Sequence, residues 1–279
     1  MKSRRNNGSA VERTVNAVIS LCFWGLVALT LGTIGYLVVR GAGGMSWEFL
    51  SAMPRTRGIE GGIFPAIVGT LWITIGTALV ALPLGILAAL YLTEYAPEGV
   101  AVRLINLAIV NLAGVPSVVY GLFGLAMFVL FLGLGSSIGA ASLTLGLLTL
   151  PVVVTATREA LLTVPRAYRE AAFALGASRR QVILTHVLPY CRSGIMAGSL
   201  LGLSRAMGET APILVTGVAV VLPRLPSGFG SRFMALPYHL YITATQIPGM
   251  PAERIWAVAL TLLIMVLSIN LAAGLLRRS

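Results

Sequence analysis

Six long apolar runs leave this chain few ways to fold. They lie at roughly residues 15–39, 66–92, 103–133, 140–162, 194–222 and 255–276. Each reaches the ~20 residues that an α-helix needs to cross the hydrocarbon of a bilayer. The runs are continuous and do not alternate with period two, which favours helices over a transmembrane barrel. Inside lipid each backbone amide must find its partner within the protein, and a helix provides that. Only 10% of the 279 residues are charged, where a soluble domain carries about 25%. The expectation is an all-α integral membrane fold with six transmembrane helices.

Lys2, Arg4 and Arg5 precede the first run. That run is longer than the core of a cleaved signal peptide and long enough to span, so it is read as a retained transmembrane helix. Residues 1–14 are then a cytoplasmic tail, and 15–279 one transmembrane domain. Basic residues set the orientation. With the N-terminus inside, the cytoplasmic side holds thirteen: Lys2, Arg4, Arg5, Arg13, Arg103, Arg158, Arg166, Arg169, Arg179, Arg180, Arg192, Arg277 and Arg278. The other side holds six: Arg40, Arg55, Arg57, Arg224, Arg232 and Arg254. Both termini are therefore expected in the cytoplasm. The net charge of +11 is read as an anchor against anionic lipid; the arginines form no stripe, and no nucleic-acid motif is present.

Several chemistries drop out. Lys2 is the only lysine, so no phosphate-binding loop of the Walker type exists here, and ATP would have to be bound and hydrolysed by another polypeptide. There is no aspartate, which removes aspartyl-phosphate pumps and aspartyl intramembrane proteases. His186 and His239 fall on opposite predicted sides, Cys22 and Cys191 have no metal spacing, and no metal or cofactor is expected. The reading is a non-catalytic membrane subunit.

Arg205 and Glu209 stand out within the fifth run. Counted from residue 194, Arg205 lies about 16 Å in at ~1.5 Å per residue, near the bilayer midplane. A charge there costs roughly 2.5–3.5 kcal/mol. A spacing of four puts the two on one helix face, where they can pair. Two readings follow: a self-satisfied pair that pins the helix, or an arginine lining a polar path whose forked donors meet an oxyanion. Glu209 would then orient Arg205 or accept a proton-bearing hydroxyl of hydrogen phosphate. Pro83, Pro116, Pro151 and Pro212 interrupt spans and invite bends. Glycines at spacings of three and four, such as Gly194, Gly198 and Gly202, suit close helix packing or a moving gate.

The most polar stretch, about 163–191, lies between the fourth and fifth runs. Pro165 suits the start of a helix, Gly176 a left-handed helix stop, and Ser178 with Gln181 a capping box for a second helix. The loop is either a capped surface loop or a docking element. Glu170-Ala171-Ala172, then Gly176, then Leu188-Pro189 resembles the EAA loop of importer-type ABC permeases. In that family the loop docks into a groove on the ATPase; Glu170, Ala171, Ala172, Gly176, Arg169 and Arg179 would carry the coupling here. His186 takes a place where the family usually has an aliphatic residue.

Ser204-Arg-Ala-Met-Gly-Glu-Thr-Ala-Pro212 and Asn111-Leu-Ala-Gly-Val-Pro-Ser-Val-Val-Tyr-Gly-Leu-Phe-Gly124 extend the likeness. Together with the EAA loop they resemble the PstA-type permease of bacterial phosphate importers, over about Gly61 to Leu276. The resemblance implies a type I ABC importer permease fold with a core about 66–276, in the cytoplasmic (inner) membrane. It implies phosphate as cargo. The candidate path residues are Arg205, Glu209, Thr210, Ser204, Asn111 and Ser117, of which Asn111 and Ser117 also suit hydrogen bonds between helices. The resemblance also implies a PstC-type second permease, two copies of a PstB-type ATPase, and a periplasmic or lipid-anchored phosphate-binding protein. The external segments Trp47–Leu50 and Phe229–Tyr241 would face that binding protein, or their Trp and Tyr serve as anchors at the membrane interface. From the residues alone, permeases for sulfate, molybdate or phosphonate and an ATP-independent secondary transporter stay open.

Overall fold

The computed structural model describes residues 3–97 and 99–276. Of the charges used for orientation, Lys2, Arg277 and Arg278 lie outside the described residues, as do the side chains of Arg4, Arg5 and Arg57. The chain begins with α1 (Ser3–Ala42) and α2 (Trp47–Ser51), then a short antiparallel ribbon of β1 (Pro54–Arg55) and β2 (Glu60–Gly61). Next come α3 (Phe64–Leu90), ending in a π-turn at Tyr91–Tyr95, then α4 (Val100–Ala113) and α5 (Ser117–Gly124), which runs into a second π-turn at Leu125–Phe131. After α6 (Ile138–Leu162), the polar stretch folds as α7 (Arg166–Ala174) and α8 (Arg179–Val182). A π-turn at Ile183–Val187 leads into α9 (Leu188–Met207), followed by α10 (Ala211–Leu214), α11 (Leu236–Thr245) and α12 (Ala252–Leu276).

Among the described residues, four helical stretches are long and apolar enough to cross a membrane: Glu12–Ala42, Phe64–Tyr95, Ile138–Leu162 and Ala252–Leu275. A bent pair, Val100–Ala113 with Ser117–Phe131, makes a fifth if counted as one span. Two of the six expected runs are therefore not single helices. The run at 103–133 turns by 100° between α4 and α5. Its elbow is Gly114-Val115-Pro116: Gly114 caps α4, and Pro116, with ψ 140°, sits at the N-cap of α5. Proline disfavours the helical region for the residue before it, and with Gly114 already capping α4 the helix breaks here. The run at 194–222 breaks after Met207, where Gly208 caps α9. Pro212 then lies at the start of α10, where its missing N–H costs nothing. The helical backbone of the fifth run begins earlier than 194, since α9 continues from the π-turn at Ile183–Val187 with Pro189 just beyond that turn. Pro83 and Pro151, by contrast, remain inside α3 and α6.

The residues read as a separate tail, 3–14, are the first turns of α1. That helix packs chiefly along α12, where Tyr36 meets Trp256 edge-on at 5.4 Å. The centre of the molecule is α3 laid along α6, with α6 against α9 and α9 against α12. Small residues permit these crossings. A Cβ on Gly198 would come 2.5 Å from the Ala156 methyl of α6, and one on Gly124 would come 2.1 Å from Thr144 Oγ1.

Buried side chains gather in three clusters. At the arginine-rich end, Leu161, Val164, Ala172, Val182, Val187 and Cys191 join α6, α7, α8 and α9, with Ile86 and Leu90 of α3 against them. At the opposite end Phe49, Ile63, Met234 and Leu236 pack against Ala257 and Val258 of α12. Between them Ile73, Ile138, Leu145, Ile213 and Phe233 hold the segments after α9 onto α3 and α6. The returning loop is stitched down by its backbone: Ile138 N–H donates to Ser231 O at 3.0 Å, Gly139 N–H to Phe229 O at 2.7 Å, and Leu236 N–H to Thr70 Oγ1 at 2.9 Å. Of the segments expected to face a binding protein, Trp47 is 82% exposed, whereas Phe49 and Phe233 are core.

Candidate translocation site

Arg205 occupies the last turn of α9, where free carbonyls and the negative end of the helix dipole favour a cation. It is not mid-helix, because α9 stops two residues later. Glu209 lies beyond the Gly208 cap, and its Oε1 comes to 3.7 Å from Arg205 Nε. The pair therefore bridges a helix end and the break that follows, not two successive turns of one helix. Arg205 keeps 64% of its side chain exposed and Glu209 19%. One contact at that distance leaves most of the five guanidinium donors unused.

The α4–α5 elbow faces this pair. Together they enclose a recess of about 250 Å³, lined by Leu112–Ser117, Tyr120, Leu148, Val152, Arg205 and Glu209. The Tyr120 hydroxyl donates to Leu112 O at 2.9 Å and ties the two arms of the elbow together. α5 starts at the recess with no side chain capping its first amides. An uncapped helix N-terminus favours negative charge, so the start of α5 and Arg205 offer two groups suited to an anion in a recess that the Glu209 carboxylate also lines. Of the six path residues expected from sequence, Arg205, Glu209 and Ser117 line the recess. Ser204 is buried and turns its hydroxyl to Leu201 O at 2.9 Å. Asn111 and Thr210 are not among the lining residues. The apolar wall, Leu112, Val115, Leu148 and Val152, carries no chemical signature that a sequence pass selects.

At the arginine-rich end the polar stretch forms two helices around a turn, as expected. Gly176 takes φ +83°, a region side chains rarely adopt, and Ser178 with Gln181 makes a complete capping box. Pro165 is the N-cap of α7 and not its first helical residue. The alanine pair divides its labour: Ala172 enters the core, while Ala171 stays exposed beside Glu170 and Gly176. Phe173 and Leu175 are exposed as well, so α7 offers a small apolar face to a partner. The unusual His186 packs edge-on against Tyr168, ring centroids 6.1 Å apart. One residue at this end escaped the sequence reading: Glu94, whose Oε1 accepts from Arg169 Nη2 at 2.9 Å. Its partner lies 75 positions away in the chain, beyond the reach of any local pattern.

Residues 81–279 match the family of binding-protein-dependent transport system inner membrane components. The chain belongs to this family. Among its relatives is the phosphate transport system permease protein PstA 1 of Mycobacterium tuberculosis, 37% identical over 87% of this chain and 79% of that one. PstA of Mycobacterium leprae is 40% identical over 78% and 71% of the two chains. A probable PstA of Methanocaldococcus jannaschii is 37% identical over 75% and 74%. The fold agrees. A chain of the inward-facing MetNI methionine ABC transporter covers 76% of this one and 93% of itself, with TM-score 0.62 and 18% identity. A bacterial ABC transporter involved in alginate import covers 95% and 98%, with TM-score 0.59 and 16% identity. The chain thus has the type I ABC importer permease fold and is a multi-pass membrane component of a transport complex. That membership sets aside the ATP-independent secondary transporter.

Proposed function

We propose that this chain is one permease of an ATP-driven importer that carries inorganic phosphate across the cytoplasmic membrane, and that it performs no catalysis itself. In this reading six spans cross the membrane, with α9, its break and α10 making the fifth and both termini in the cytoplasm. A PstC-type permease forms the other half of the path, two PstB-type ATPases dock on the α7–α8 loop, and a periplasmic or lipid-anchored phosphate-binding protein delivers the anion. The observation that carries the reading is the recess at the α4–α5 elbow, where Arg205 holds unused donors beside an uncapped helix start. A guanidinium matches phosphate oxygens in a fork. Glu209 accepts a hydrogen bond from hydrogen phosphate, which sulfate lacks at neutral pH, and keeps Arg205 from holding the anion too tightly.

Relatives that are phosphate transport permeases at 37% and 40% identity support the choice of cargo. The test is uptake into vesicles that contain this chain with its three kinds of partner. Phosphate should enter only with ATP and the binding protein, and excess sulfate or molybdate should leave the rate unchanged. Competition by either anion equal to that of unlabelled phosphate would assign the path to oxyanions at large.

A further inference from the structure

We infer that Glu94 is a positioning residue that carries motion of the α7–α8 loop into α3 and so sets how tightly ATP hydrolysis is tied to transport. The inference rests on the proposed docking of that loop on the ATPase.

Glu94 lies in the π-turn Tyr91–Tyr95, which continues α3. Such turns are rare and recur at functional sites. Its carboxylate is 12% exposed and Arg169 of α7 is 18% exposed, so the 2.9 Å pair is largely withdrawn from solvent. The same guanidinium donates through Nη1 to Val164 O at 2.6 Å and through Nη2 to Leu161 O at 2.9 Å. One side chain on α7 thus closes the C-terminal end of α6 and reaches across to α3. A second link lies beside it. The guanidinium of Arg179, at the start of α8, sits 5.8 Å from the centre of the Tyr95 ring. Each of the loop's two helices therefore grips one of two successive residues in a single turn of α3. Beneath them Ile86 and Leu90 of α3 pack on the cluster that contains Ala172, Val182 and Val187. From there α3 lies along α6 and α9, and the last turn of α9 carries Arg205.

The carbonyls of Leu161 and Val164 leave the Arg169 cation without a counter-charge, and Glu94 supplies it from α3. The carboxylate adds a directional link: a loop displaced by the ATPase drags Glu94 with Arg169 or leaves two poorly solvated charges unpaired, and separation is the costlier course. Reversing the pair is not a useful test, since a carboxylate at position 169 would face the oxygens of Leu161 and Val164. Glu94→Gln keeps the shape and removes the charge.

The experiment compares wild type with Glu94→Gln in liposomes holding the full transporter and phosphate-loaded binding protein, measuring phosphate imported and ATP hydrolysed together. Glu94→Gln should assemble and hydrolyse ATP near the wild-type rate while phosphate imported per ATP falls about fivefold or more, the lower range of site-to-site coupling. An unchanged ratio in an assembled complex overturns the inference. If Glu94→Gln does not assemble, Glu94→Asp and Tyr95→Leu decide the matter: a lowered ratio in either supports the link, and normal ratios in both refute it. A wild-type complex that hydrolyses ATP but imports no anion contradicts the proposed function and the coupling role with it. Normal import with an unmoved ratio in the variants contradicts the coupling role alone.

Discussion

At the scale of single residues, Arg205 and Glu209 show how a costly group is made tolerable without being neutralised. The arginine sits in the last turn of α9, at the negative end of the helix dipole, and the glutamate stands 3.7 Å from Nε. Arg205→Lys keeps the charge and loses the fork, so its uptake should fall well below wild type yet remain measurable in the same vesicle assay. His239 makes a separate prediction. It is buried in α11 with Nδ1 unpartnered, and burial together with the nearby Arg254 cation lowers its pKa from 6.5 to about 4. Between those values the unfolded chain binds a proton that the native chain refuses, so stability falls as pH drops from about 6.5 toward 4. The full effect is about 3 kcal/mol. Thermal unfolding of the purified protein across that range should show the slope, and His239→Asn should flatten it.

At the scale of elements, identical residue types had unlike consequences, and this bounds what sequence could tell. Pro116 makes an elbow because Gly114 has already ended α4, and Pro212 opens a new helix because Gly208 has ended α9. Pro83 and Pro151 have no adjacent glycine stop, and α3 and α6 absorb them. Helix existence was legible in the apolar runs, and the caps at Gly176 and Ser178 in local spacing. Whether a proline bends or breaks a helix depends on what lies beside it in sequence and across from it in space. The long partner of Glu94 was illegible for the second reason. Replacing Pro116 with Ala should let the elbow relax, lowering uptake while the protein still inserts and pairs with its partner permease. Gly198→Leu forces α9 from α6 at a contact already 2.5 Å from a Cβ, and overpacking of this kind costs about 1–3 kcal/mol. It should appear as a lowered unfolding temperature.

For the whole molecule, the two ends are built for different tasks. The arginine-rich end is a compact hub in which α6, α7, α8 and α9 share one core with α3. The opposite end folds a long return loop onto α3 and α6, leaving Trp47 outward. Composition was enough to read a polytopic membrane protein, since lipid imposes long apolar helices, and the charge asymmetry proposes an orientation. They were not enough to reveal that the fifth run is a broken helix or that an elbow faces the break, because those features depend on packing between distant segments. The orientation is checked by labelling: in a cysteine-free background, Gly176→Cys should react only with reagent on the cytoplasmic side, and Trp47→Cys only from outside.

The central claim is that Arg205 meets the anion in the recess. Its most direct test is ATP-driven uptake of radiolabelled phosphate by liposomes carrying the complete transporter, wild type against Arg205→Gln, with insertion and subunit assembly measured in the same preparations. The account predicts an assembled Arg205→Gln complex whose uptake falls to that of protein-free liposomes. Uptake at the wild-type rate by that complex would contradict it.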